Sequence, residues 1–479
     1  MKSIRYLLVF LTAISCFAMT SCEDFVAIDA PDFQIVGETV FEDPETAEAA
    51  VTGIYNQLYN GTTYYSNGWQ NSVTVLAGMS ADLVRPRVPQ HSKYGPFWDN
   101  EISTSIELAN SDSSANVGLW NSAYNIIYLA NSVLEGLDGS SGIPEDTFKR
   151  LKGQALFIRS FTYFYLTNLY GDVPLLLTID YRKNALAPRN PAVEVWNQII
   201  NDLDEADLLL DGTVDYPKGE RTHINQFVVK AFRARVHLYQ QDWDRAEELS
   251  SRVILENTTY GILENLDQVF LANSKEAIWQ ISPLGRGNAL TNTNEGGLFI
   301  MHPLVPTLTQ ITLSDQLISA MHSEDKRLAH WTGYNARTDS YFIHKYKVMN
   351  STSNEILEYS MVMRLAEQYL IRAESRAMLG KLPKAIADLD VIRVRAGLEP
   401  IADTDPGIGK EALLALIMEE RKRELFAEWG HRWLDLKRTE KATEILSPLK
   451  QHWQNTDIFY PIPEQERIRN PRLDQNEGY

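Results

Sequence analysis

The residues able to do covalent chemistry are few. The 479-residue chain holds two cysteines, Cys16 and Cys22, six positions apart near its start. Met19-Thr20-Ser21-Cys22 has the pattern of a lipobox, in which the cysteine sulfur takes a diacylglycerol and becomes the mature N-terminus. No cysteine remains downstream for a nucleophile, a zinc site or an internal disulfide. Nine histidines are scattered without metal-ligand spacing, and H-E-x-x-H, G-x-S-x-G, P-loop and G-x-G-x-x-G patterns are absent. Adjacent carboxylates such as Asp202 with Asp204 and Glu419 with Glu420 have the types a glycosidase needs. They sit in helical charge patterns, where solvated faces or ion pairs are the simpler reading. The expectation is a non-enzyme without a cofactor or metal.

The densest charge lies in "LIMEERKRELFAEWGHRWLDLKR", residues 416–438. Opposite charges fall three and four apart on a helix that Gly430 closes. Such a helix is either an anion clamp or a buried ion-pair network reaching neighbouring helices, and the packing of Trp429 and Trp433 favours the network.

Elements must position whatever binds here. A net charge of −18 argues against nucleic acid and against electrostatic attachment to anionic lipid. Lys2 and Arg5 precede an apolar run, Tyr6 to Ala18, which reads as a secretory signal. This gives 1–21 as a lipoprotein signal peptide, 22–37 as a lipid-anchored tether and 38–479 as the folded domain. Helical periodicity is clear after Asp43-Pro44 (Ala47, Ala50, Val51, Ile54, Leu58) and over 118–137, 146–170, 191–211, 225–240, 243–256, 361–379, 383–396 and 410–429. Periodicity lapses at about 61–117 and 257–347, predicted as inserted loop regions with short strands at 276–282 and 341–348. A weak repeat lays 231–250 over 370–389, matching Arg233 to Arg372, Ala234 to Ala373 and Ala246 to Ala385. That is the turn of a tetratricopeptide-type hairpin, whose alanines let helices approach closely. The fold predicted is mainly α: about four such hairpins, a loop-rich half containing aromatics, and a few short strands.

Several segments together carry a family resemblance. They are the Cys22-Glu23-Asp24-Phe25 start, "AAVTGIYNQLY", "LWNSAYNIIYLANSVL", "GQALFIRSFTYFYLTNLYGDVPL" and "VEVWNQIINDLDEADLLL", followed by "AEQYLIRAESRAMLGKLPKAIADLDVIRVRAGL", "EERKRELFAEWGHRWLDLKR", "FYPIPEQE" and "NPRLDQNEGY". Their order resembles the SusD/RagB family of outer-membrane nutrient-binding lipoproteins along essentially the whole chain. The resemblance implies a protein lipidated at Cys22, on the outer membrane and facing the cell exterior. It implies a lid over a SusC-type TonB-dependent transporter, capturing glycan for import, with the ligand bound by the loop-rich half. Relatives with the same architecture take peptides, and a surface hydrolase is a third reading that lacks a catalytic motif.

A glycan needs a flat aromatic face for its C–H bonds and polar groups for its hydroxyls. The first loop region offers Tyr65, Trp69, Arg87, Tyr94, Trp98 and Asn100; the second offers Trp331 and Tyr334. Trp120, Trp196, Trp243, Trp279, Trp429 and Trp433 lie in periodic segments and are expected in the core.

Overall fold

The structure is a computed structural model that describes residues 40–60, 72–88, 94–104, 115–283, 291–351 and 355–479. It begins with α1, Pro44–Asn60. The Asp43 carboxylate accepts from the amides of Glu45 (2.9 Å) and Thr46 (3.1 Å), satisfying donors that a helix start leaves open. Ala47, Val51, Ile54 and Leu58 form its buried stripe, as the spacing predicts.

The helical half is a continuous array. It comprises α4 (Ala115–Asp138), α5 (Glu145–Tyr170), α6 (Ala192–Leu209), α7 (Gln226–Tyr239), α8 (Trp243–Leu255), α9 (Leu365–Met378), α10 (Leu382–Arg395) and α11 (Lys410–Glu424). Helix α4 packs on α5, α5 on α6, α7 on α8, α8 on α9, and α9 on both α10 and α11. The alanines of the predicted repeat, Ala234, Ala246, Ala373 and Ala385, are all fully buried at these contacts. The paired arginines are tied alike: Arg233 to Asp204 and Asp207, Arg372 to Asp388. The mainly α, tetratricopeptide-like prediction therefore holds. No helix among the described residues is long and apolar enough to cross a membrane.

The irregular half departs from expectation in three places. Residues 73–80 form α2 (Val73–Ser80), whose eight residues are all buried. A helix enclosed on every side shows no polar face, so periodicity could not reveal it. Residues 360–364 form β6 (Ser360–Arg364) and not the first turn of α9; β6 pairs antiparallel with β2 (Ala277–Ile281). Both strands are buried on both faces, so neither alternates, and an apolar run of this length does not distinguish strand from helix. Helix α11 ends at Glu424, short of 429. Ala427 and Trp429 adopt φ of +54° and +42°, and the Trp429 amide donates to Thr74 Oγ1 (3.0 Å) on α2. A tertiary partner outweighs helical propensity there.

The charge-dense helix is a buried network. On α11, Glu420 pairs with Arg327 (2.6 Å) and Glu424 pairs with Arg327 (2.9 Å), Arg364 (2.5 Å) and Arg395. Glu276 meets Arg364 (2.9 Å) and Arg395 (3.0 Å), while Lys345 meets Glu428 (2.5 Å). Burial alone would raise the Glu424 carboxyl, but Arg395, Arg364 and Arg327 together hold it well below the usual carboxylate range. The carboxylate pairs are absorbed likewise: Asp202 is buried against Arg159 (2.7 Å), and Glu420 belongs to the network.

Candidate functional site

The two predicted loop regions meet. Strand β1 (Val84–Pro86) of the first pairs antiparallel with β3 (Ile311–Leu313) of the second, placing Val84 opposite Leu313. The Ser314 amide donates to the Leu83 carbonyl (2.9 Å), and the Arg87 amide to that of Gln310 (2.8 Å). Just upstream, buried Asp82 anchors the joint to Arg432 (2.9 Å) and Lys422 (3.0 Å). Burial opposes the charge on Asp82, but these two cations prevail and lower its pKa to about 2.

Beside this joint, β4 (Thr332–Asn335) and β5 (Ser340–Ile343) form a hairpin in which Tyr334 stands opposite Tyr341. Thr332 and Ile343 lie on the same face at the buried base, so the face becomes aromatic only towards the tip. The two rings lie 4.9 Å apart at 49°, and Tyr334 is 52% exposed. Its hydroxyl donates to Asp339 Oδ1 (2.7 Å). Gly333 is required on the opposite face, because a Cβ there would collide with the Phe342 ring. Arg337 at the tip donates to the Leu304 carbonyl (3.3 Å), tying the hairpin to the segment that also receives Arg87.

Arg87 is half-buried, donating from Nε to the Thr309 carbonyl (3.0 Å) and from Nη2 to that of Thr307 (2.9 Å). Its placement is that of a loop tie. Trp98 is half-buried on α3 (Gly95–Asp99), which packs against β1. Lys450 Nζ lies 4.9 Å from its ring centroid and donates to the carbonyls of Trp98 (2.6 Å) and Met79 (2.8 Å) and to Asn100 Oδ1 (2.8 Å).

Three expected contacts are corrected by burial. Tyr94 is fully buried beneath α3. Asn100 is buried in the left-handed conformation that ends α3 (φ +59°), its side chain held by Lys450. Trp331 is fully buried, donating to the Leu266 carbonyl (3.1 Å), with Lys345 4.6 Å and Arg364 and Arg395 both 5.5 Å from its ring. A side chain without exposed surface offers no face to an external ligand. Tyr65, Trp69 and Cys22 lie outside the described residues. Of the tryptophans expected inside, Trp120, Trp279, Trp429 and Trp433 are buried, and Trp196 and Trp243 pack partly buried against the core.

Sequence reasoning missed Tyr341, although strand register from Tyr334 pairs the two. It also missed a cleft of about 320 Å³ beside α4, flanked by Tyr128 (50% exposed) and Tyr181 (72% exposed). In "NIIYLAN" the buried Ile126, Ile127 and Ala130 leave Tyr128 facing outward, a signal helical phase alone carries.

Two family profiles match the chain, that of the SusD family over residues 326–479 and one described as "Starch-binding associating with outer membrane" over residues 48–238. Both profiles are of SusD type, and together they cover most of the chain. A SusD-like protein, P25, of Formosa agariphila is 23% identical over 97% of both chains. Among solved structures, a SusD superfamily protein from Bacteroides vulgatus superposes with a TM-score of 0.78 at 21% identity, over 92% of this chain and all of that one. A laminarin-binding SusD-like protein superposes at 0.70 with 23% identity, over 91% of this chain and 99% of its own. These likenesses establish a shared SusD fold along nearly the whole length.

Proposed function

We propose that the protein is a lipid-anchored glycan binder of the outer membrane, facing outward, that passes oligosaccharide to a SusC-type TonB-dependent transporter without cleaving it. The observation carrying this reading is the pairing of exposed Tyr334 with half-buried Tyr341 on a hairpin tied to the β1–β3 joint. Two tilted aromatic faces suit pyranose C–H surfaces, while the exposed Asp339 and Arg337 beside them supply polar partners for hydroxyls. Half-buried Trp98 extends the proposed surface towards α3. The family likeness supports the same direction, since one matching profile describes starch binding with outer-membrane association and a solved relative binds laminarin. Cys22 and its preceding Met19-Thr20-Ser21 support anchoring, and doubly acylated attachment is needed because a single chain holds only marginally.

Calorimetry of the purified chain on a panel including starch and laminarin oligosaccharides tests the reading. Saturable binding, weakened by Tyr334→Ala and by Trp98→Ala at unchanged melting temperature, is the expected result. Binding confined to peptides, or glycan cleavage in the cell, would replace it.

A further inference from the structure

A second cavity, sharing no lining residue with the β4–β5 hairpin, has an unmet polar group. It encloses about 200 Å³ between α1, α5, the 222–223 segment and the end of β2. Its apolar floor is Val51, Leu151 and Ile281, all buried. Gln154 of α5 lines it at 3% exposure, and the Tyr55 hydroxyl of α1 is buried there without a hydrogen-bond partner among the described residues. A buried hydroxyl left unpaired is a standing cost, relieved by a ligand group that donates or accepts, and the amide can do both. His223 is held at one ring nitrogen, Nδ1, by Thr222 Oγ1 (3.3 Å), and Nε2 has no hydrogen-bond partner among the described residues. Tyr55 contributes its ring from α1.

Charge and size narrow the occupant. At the rim Arg150 is paired with Glu48, so the site carries no net cation for an anion and no net anion for a metal. Groups that both donate and accept face an apolar floor, and that combination matches a ring carrying hydroxyls on one side and C–H bonds on the other. The volume is below the roughly 300 Å³ at which drug-sized pockets begin, so it takes one ring and not a chain.

We propose that this cavity is a separate binding site for a single neutral sugar ring, with Gln154 and His223 recognising its hydroxyls. It does not depend on the hairpin surface, and its test separates the two. Full-length protein is titrated with glucose, galactose and mannose by saturation-transfer NMR and calorimetry. At least one sugar should bind saturably in the millimolar range. Gln154→Leu should weaken it at least tenfold, and Asn56→Trp, at an exposed position of α1 lining the mouth, should abolish it. Tyr334→Ala should leave it unchanged. If Gln154→Leu does not fold, Asn56→Trp decides alone. No saturable monosaccharide binding, or binding equal in wild type and the folded variants, overturns the proposal. Monosaccharide binding here with no oligosaccharide binding anywhere would instead remove the hairpin reading and keep this one.

Discussion

Replacing Glu424 with glutamine separates the two readings of the charge-dense helix. In the native protein one carboxylate faces three guanidiniums, Arg327, Arg364 and Arg395, in a setting where all four side chains are buried. Glutamine keeps the shape but removes the charge, leaving the three cations short of one counter-ion. Breaking a buried pair by removing one partner costs about 3–5 kcal/mol. With an unfolding entropy of about 2.1 cal/mol/K per residue over about 400 described residues, a loss of ~4 kcal/mol lowers the melting temperature by about 5 °C. The substitution should also change the acid limb. The folded Glu424 carboxyl lies well below the ordinary glutamate value of 4.5, so its stabilisation is complete above that pH and is lost as pH falls below it. The variant should therefore lose less stability than wild type between pH 5 and the acid transition. Differential scanning calorimetry across pH, with glycan calorimetry in parallel, measures both. A variant that melts with wild type yet loses ligand would refute the structural network and restore the clamp.

Three other outcomes follow from named contacts. Trp98→Ala and Tyr334→Ala should each weaken oligosaccharide binding on the scale of stacking losses, about 1–3 kcal/mol, in calorimetry; unchanged affinity removes that residue from the surface. Lys450→Met deprives the Met79 and Trp98 carbonyls and the Asn100 side chain of their shared donor. It should lower stability by about 1–3 kcal/mol in denaturant melts, and an unchanged midpoint would show that water replaces the ammonium. Cys22→Ala should release soluble protein in membrane fractionation, whereas continued lipid labelling would place the acylated residue elsewhere.

Helix positions and the hairpin repeat were legible because they are written locally. Apolar residues recurring every three to four positions bury one stripe wherever the helix docks, and Ala246 and Ala385 mark close helix contacts by their size alone. The ligand surface was only half legible. The sequence identifies which loops hold aromatics but not which faces reach solvent, since a loop has no period to assign a side. Tyr334 and Trp331 are three positions apart in chemically similar surroundings. One stands exposed on a hairpin face and the other is enclosed by Lys345 from just beyond the hairpin and by Arg364 and Arg395 from further along the chain. The cavity at Gln154 shows the same division: its residues come from four separate segments, and each alone reads as ordinary helix, strand or turn. Composition, periodicity and the order of motifs carried the SusD resemblance, the mainly helical fold and the lipobox pattern ending at Cys22. Tertiary packing decided which aromatics reach solvent, because burial is set by what lies across the space between segments and not by neighbours along the chain.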